Sequence, residues 1–156
     1  MKKNFIHLHL HSEYSISDSL IRIKDLIKES SDNSYPAVAI TDLNNIFSLV
    51  KFYKTAIKNG VKPIIGIEID LKNKDSENNF SRIVLLCKNM KGFHNLSNLI
   101  TDAYVNLGDD NKFFISKDQL ADKSDGLIAL SGGINGDLGN AIKLEKEDLI
   151  EDSVKY

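Results

Sequence analysis

The 156-residue sequence has little of what most quickly assigns a protein to a class. It has one cysteine, Cys87, so no internal disulfide can form, and a lone thiol suits a reducing compartment such as the cytoplasm. It has two arginines, Arg22 and Arg82, so the bidentate contacts that guanidinium groups make with phosphates and guanine are scarce. Its 20 basic and 22 acidic residues leave a net charge of −2, which excludes a strongly basic nucleic-acid-binding module. No run approaches the roughly 18–20 apolar residues of a membrane span, and nothing behind Met1-Lys2-Lys3 has the shape of a signal peptide. A mean hydropathy of −0.22 with 42% hydrophobic residues excludes a disordered tail. What remains is one soluble, cytoplasmic domain over residues 1–156, long enough to bury a core.

Apolar periodicity alternates between strand-like and helix-like stretches. Residues 5–10 read as a histidine-studded strand, and Leu20, Ile23, Leu26 and Ile27 as one face of a helix capped by Asp18 or Ser19. Tyr35-Pro36 ends that helix, and residues 37–40 read as a buried strand. Leu49, Val50, Phe52, Tyr53, Ala56 and Ile57 define a second helix, with Gly60 at the left-handed position beyond it. Residues 63–71 and 83–87 read as strands, separated by the polar stretch 72–79, which is expected to be the most mobile segment. A helix over 93–107, a capping box at Ser116-Lys117-Asp118-Gln119 opening a short helix, and a last strand over 126–130 complete the pattern. Five strands alternating with helices predict an α/β fold with a mostly parallel sheet, open or closed into a barrel. The run Val84-Leu85-Leu86 fits a sheet covered on both faces, and a site would lie at the carboxyl ends of the strands.

His7, His9 and His11 stand at the end of the first strand, and an extended backbone points all three imidazoles to one face. Asp18, Asp42 and Glu68 fall in neighbouring loops or strand ends, and imidazoles with carboxylates suit zinc, manganese or iron better than calcium. A single histidine is usually a packed side chain. Strict alternation of three favours a present or ancestral metal site for His9 and His11, with His7, deepest in the strand, as core. The glycine-rich residues 131–139 follow a strand and precede a helix, but no ribose-binding acid follows, so a tight turn is the better reading than a phosphate cradle. Cys87 reads as a buried thiol, Lys51, Lys54 and Lys58 as a solvated helix face, and Phe113-Phe114 as core rather than a base-stacking platform.

His7-Leu8-His9-Leu10-His11-Ser12-Glu13-Tyr14-Ser15, Ala39-Ile40-Thr41-Asp42, Lys62-Pro63-Ile64-Ile65-Gly66-Ile67-Glu68 and Leu127-Ile128-Ala129-Leu130-Ser131-Gly132 occur in that order. Together with Lys51-Phe52-Tyr53-Lys54 and Leu85-Leu86-Cys87-Lys88-Asn89, they resemble the PHP (polymerase and histidinol phosphatase) domain in the form that opens the alpha subunit of bacterial DNA polymerase III. The resemblance runs to about Leu144. It implies a distorted βα barrel with a metal cluster at the carboxyl ends of the strands. That barrel would be incomplete here, because the family's final strands and last ligand pair fall beyond Tyr156. Active members are metal-dependent phosphoesterases, and in some polymerases the domain is a proofreading nuclease.

Carried over one position at a time, His9, His11, Asp18 and Glu68 match metal-ligating positions, although Ser19 replaces the usual glycine. Leu43, Arg82 and Gly133 stand where two histidines and a cysteine are expected. Leucine and glycine offer no ligating side-chain atom, and arginine stays cationic. Phosphoester hydrolysis would need metal ions to polarise the ester and activate a water. The expectation is therefore a degenerate site with no catalytic residue and no intact cluster. A single residual zinc on His9 and His11 stays open, and magnesium would serve only the parent polymerase.

Arg82 has two readings of equal weight: a surface residue at a strand edge, or a cation that neutralises Glu68 through a bidentate pair where Asp18 and Asp42 also crowd. The resemblance implies a structural module of a replicative polymerase that binds the proofreading exonuclease subunit, reaches DNA only through the parent enzyme and touches no membrane. Two rivals belong to other classes. One is a small metal-dependent phosphoesterase acting on a sugar or amino-alcohol phosphate. The other is a free-standing domain with a nucleotide site at the glycine-rich turn.

Overall fold

The two longest strands sort their side chains by parity. In β2 (Lys62–Lys72), Ile67, Ile69 and Leu71 are buried on one face, which sends Glu68 and Asp70 to the other. β3 (Phe80–Cys87) runs antiparallel to it and sets Val84 opposite Glu68 and Arg82 opposite Asp70. The computed structural model that shows this describes residues 5–72, 80–107, 112–145 and 147–155. Residues 73–79 of the stretch expected to be mobile lie outside the described residues.

β1 (Ala37–Ile40) pairs parallel with β2, as does the short β4 (Ile115–Ser116), and β5 (Leu127–Leu130) pairs antiparallel with β3. The order is β1-β2-β3-β5, with β4 beside β2, and among the described residues the sheet stays open. The expected mostly parallel sheet is met in strand direction, four strands sharing one and β3 opposing them, but β3 makes it a mixed sheet. Only residues 73–79 connect β2 to β3, too few for the crossover that a parallel pair requires.

Three apolar clusters hold the layers together. α1 (Ile23–Asp32) and α2 (Leu49–Lys58) bury Ile23, Ile27, Phe52 and Ala56 against Val38 and Ile40 of β1. α3 (Met90–Val105) lays Leu96, Leu99, Ile100 and Ala103 on Ile67, Ile69, Leu71 and Leu85. A smaller cluster of Ala39, Val84 and Leu86, with Ile64 and Leu130 against it, lies on the opposite side of the strands. Val84, Leu85 and Leu86 are all buried, as strands covered on both faces require. Fully burying each large apolar side chain contributes about 1.5–3 kcal/mol, so the two helix-covered clusters dominate the core.

Local signals at the helix ends match the sequence. Gly60 has φ +72° just beyond α2, the left-handed region that ends a helix without strain only for glycine. Asn89 accepts a hydrogen bond from the Gly92 N–H at 2.9 Å to cap α3, and Ser116 with Gln119 forms the capping box that opens α4 (Lys117–Asp122). The chain ends in α5 (Asp137–Lys143) and α6 (Glu147–Lys155). No helix among the described residues is long and apolar enough to cross a membrane.

Two expectations fail near the start. Residues 5–10 form no strand ladder. They lie beside β1 and Thr41 through two separate backbone bonds, Ala39 N–H to the His7 carbonyl (2.9 Å) and Thr41 N–H to the Leu10 carbonyl (2.8 Å), with the Thr41 hydroxyl bonded to Leu10 as well. The first helix begins at Ile23 rather than near Asp18 or Ser19, and Leu20, assigned to its apolar face, is 93% exposed. The Ser19 hydroxyl instead donates to the His11 carbonyl at 2.8 Å, which frees Asp18 to face the site.

Candidate metal centre

The amino-terminal segment, β2, the beginning of β3 and the turn after β5 converge on an open cleft of 490 Å³. His9, His11 and Asp18 line it from the amino-terminal segment, Glu68 from β2, Arg82 from β3, and Gly132 to Asn135 from the turn after β5. Placement at strand ends is what the α/β pattern predicted. A hollow of 570 Å³ near α6 is larger, but Glu145, Glu147, Asp148 and Leu149 give it only acids and an aliphatic side chain.

Glu68 sits at the centre and is 2% exposed. His11 Nε2 lies 2.9 Å from Glu68 Oε2, and His9 Nε2 lies 3.4 Å from Glu68 Oε1. His11 Nε2 is buried and, close as Glu68 is, forms no directed hydrogen bond. The rings of His9 and His11 stand 5.3 Å apart, as alternating side chains of an extended segment should. One ligand atom each from His9, His11 and Glu68 fall within 4.8 Å of one another. Burial pushes the Glu68 carboxyl pKa up, yet contact with His11 and the nearby His9 and Arg82 outweigh it and leave it below the ordinary carboxylate value.

His7 is separate. It is half-buried between the rings of Phe5 (4.7 Å) and Tyr35 (5.5 Å), outside the apolar clusters, so the expectation of a core residue is corrected to one packed near the surface that does not line the cleft.

Arg82 points into the site, which decides between its two readings. Its Nη1 lies 3.4 Å from Glu68 Oε2 and 3.7 Å from Asp18 Oδ2, and its Nε 3.6 Å from Asp70 Oδ1. The expected bidentate pair with Glu68 does not form. The guanidinium divides its donors among three carboxylates, because the β2–β3 register places Arg82 directly opposite Asp70 and diagonal to Glu68. Asp70 was missed from the sequence, although its position two residues after Glu68 in a strand puts both on one face.

Asp42 is corrected more sharply. It does not crowd the cleft but is buried beneath it, accepting hydrogen bonds from the Ser12 N–H (2.6 Å) and the hydroxyls of Ser12 (2.9 Å), Ser15 (2.9 Å) and Ser48 (2.6 Å). None of these serines was singled out from the sequence. Three small donors at scattered spacings carry no local signal.

The three substituted positions divide. Leu43 forms a single parallel bridge with Glu68 beside the cleft. Gly133 has φ +58° and open space where a side chain would begin. Arg82 brings positive charge to the carboxylate a cluster would bridge. Among the described residues His9, His11 and Glu68 bring three ligand atoms together, enough for one ion, and a guanidinium already contacts Glu68, so these residues do not fit a multi-metal cluster. The glycine-rich turn is seated closely at two of its glycines: a Cβ on Gly132 would stand 2.0 Å from the Arg82 carbonyl oxygen of β3, and one on Gly136 1.6 Å from that of Ser131. This close seating agrees with the tight turn that the sequence reading favours.

Comparison with known proteins assigns this arrangement. A sequence profile of the PHP domain matches residues 7–156. The chain belongs to the PHP domain family. The fold is therefore of PHP type, built here as an open mixed sheet. DNA polymerase III subunit alpha of Pseudomonas fluorescens is 44% identical to the PHP chain over 142 residues, 91% of the chain and 12% of that protein. The subunit of the same name from Escherichia coli K12 is 34% identical over 152 residues, 97% of the chain and 13% of that protein. The chain thus spans about an eighth of the length of the curated relatives it matches. Among solved structures, an amidohydrolase from Chromobacterium violaceum with bound sulfate and no metal is 20% identical at a TM-score of 0.49, with 64% of this chain and 33% of that one covered.

Proposed function

We propose that this PHP chain serves as the PHP module of a bacterial replicative DNA polymerase alpha subunit, and that the module is structural rather than hydrolytic. The observation that carries the second part is Arg82 Nη1 at 3.4 Å from Glu68 Oε2. Metal-assisted phosphoester hydrolysis needs cations whose charge is free to polarise the ester and activate a water. Here the fixed cation of the cleft is already shared among Glu68, Asp18 and Asp70. The first part is supported by similarity across nearly the whole chain to polymerase alpha subunits of several bacteria. In that setting the module would hold the proofreading exonuclease subunit beside the polymerase, and deoxynucleotide transfer, with its magnesium, would belong to the rest of the enzyme.

The test has two arms. Turnover of p-nitrophenyl phosphate and of a phosphodiester is measured with manganese, zinc or magnesium, and complex formation with the cognate exonuclease subunit by gel filtration. The proposal expects no chelator-sensitive hydrolysis and a co-eluting complex. Turnover that His9→Ala abolishes would move the assignment to a small metal-dependent phosphoesterase.

A further inference from the structure

We infer that Arg82 is a built-in counter-ion that excludes divalent cations from Glu68, so that one side chain keeps a potential His9–His11–Glu68 metal site closed. The inference deepens the non-hydrolytic reading and rests on it only for the metal-free state of the native chain.

The chain retains three converging ligand atoms within 4.8 Å. Two imidazoles and a carboxylate are a donor set that zinc accepts, with an open fourth position. His11 Nε2 is buried and stands 2.9 Å from Glu68 Oε2, so two of the three ligand atoms already meet out of water. What opposes an ion is local. Arg82 Nη1 and His11 Nε2 both abut the same oxygen, Glu68 Oε2, at 3.4 and 2.9 Å. An ion sharing that oxygen would stand against a permanent guanidinium charge at close range, in a site where Glu68 is nearly out of water and screening is weak.

The same charge would also balance the acids of the site in place of an ion. Glu68, Asp18 and Asp70 converge, and unpaired carboxylates at partial burial are costly. Arg82 answers all three from one strand position. Its backbone is fixed as well, since Gly132 packs against the Arg82 carbonyl so closely that a Cβ there would lie 2.0 Å away. Guanidinium and metal therefore compete for one seat.

The experiment uses the full chain stripped of metal with chelator, titrated with zinc and read by melting temperature and calorimetry. The wild type is expected to be indifferent to zinc. Arg82→Met keeps bulk but removes charge; it should melt below the wild type without zinc and rise by about 5–10 °C at zinc 100-fold above its dissociation constant. Arg82→Lys, which keeps a cation, should stay indifferent. Adding His9→Ala or Glu68→Gln to Arg82→Met should abolish the response.

An Arg82→Met chain that folds only with zinc supports the inference. If it is unfolded under both conditions, the Arg82→Met/Glu68→Gln chain decides: folded without zinc supports, unfolded overturns. An Arg82→Met chain that is folded and indifferent to zinc overturns the inference while leaving the non-hydrolytic reading intact. Tight zinc binding by the wild type without hydrolysis overturns the inference alone, and zinc binding with chelator-sensitive hydrolysis overturns both.

Discussion

Ser12 gives both its backbone N–H and its hydroxyl to the Asp42 carboxylate, at 2.6 and 2.9 Å, beneath the segment that carries His9 and His11. With Ser15 and Ser48 it surrounds the buried carboxyl group with donors, and no ion pair reaches it among the described residues. Charge-assisted hydrogen bonds are the strong ones, and a buried carboxylate needs its lone pairs filled. Asp42 thereby ties the amino-terminal segment to the end of β1, where a regular ladder is missing.

Asp42→Leu leaves three hydroxyls and the Ser12 N–H without their acceptor. It should cost about 3–5 kcal/mol in urea unfolding at neutral pH. Asp42→Asn should cost less, about 1–3 kcal/mol, because the hydroxyls can rotate to accept from the amide. A leucine variant as stable as the wild type would contradict this role.

Neighbouring glycines should separate strain from collision. Gly133→Ala meets open space at φ +58° and should cost about 1–2 kcal/mol from the left-handed backbone alone. Gly132→Ala adds a Cβ 2.0 Å from the Arg82 carbonyl oxygen to a similar φ of +69°, so its loss should exceed that of Gly133→Ala. Equal losses in denaturant titrations would argue against the tight seating of the turn on β3.

The lowered pKa of Glu68 makes its charged form a source of native stability. That contribution is present above the unfolded carboxylate value of 4.5 and is lost as pH falls through the lower folded value. Glu68→Gln should therefore flatten the acid side of the stability curve below pH 4.5. An acid limb unchanged by the substitution would show that Glu68 is not held by its cationic neighbours.

Burial pushes the Cys87 thiol up to about 11. Its stabilising effect is complete below the unfolded value of 9.0 and is lost as pH rises towards about 11. At pH 8 the native thiol should react with a disulfide reagent far more slowly than the urea-unfolded chain. Equal rates would place Cys87 outside the core cluster it packs against.

How much of this was legible varies with the range of the interactions. Helix α2, the Gly60 stop and the Ser116 capping box rest on residues within one or two turns, and sequence spacing reports them directly. The direction of β3 depends on the length of the β2–β3 connection. That polar stretch reads in the sequence as a mobile loop, a reading that does not use its shortness, and apolar periodicity carries no direction. Leu20 satisfied helical spacing and is nevertheless exposed, because Asp18 and Ser19 are used by the site instead of a cap. In the cleft, His9, His11, Asp18 and Glu68 were found through alternation and resemblance. Asp70 and the division of Arg82 among three acids needed the cross-strand register.

The measurement that bears most directly on the central claim is the metal content of the chain purified without chelator, taken with a phosphoesterase assay on the same sample. A structural module with Arg82 in the cation's place predicts less than one equivalent of bound metal and no hydrolysis that chelation removes. Two or three tightly bound metal ions per chain, with activity lost on chelation, would contradict it.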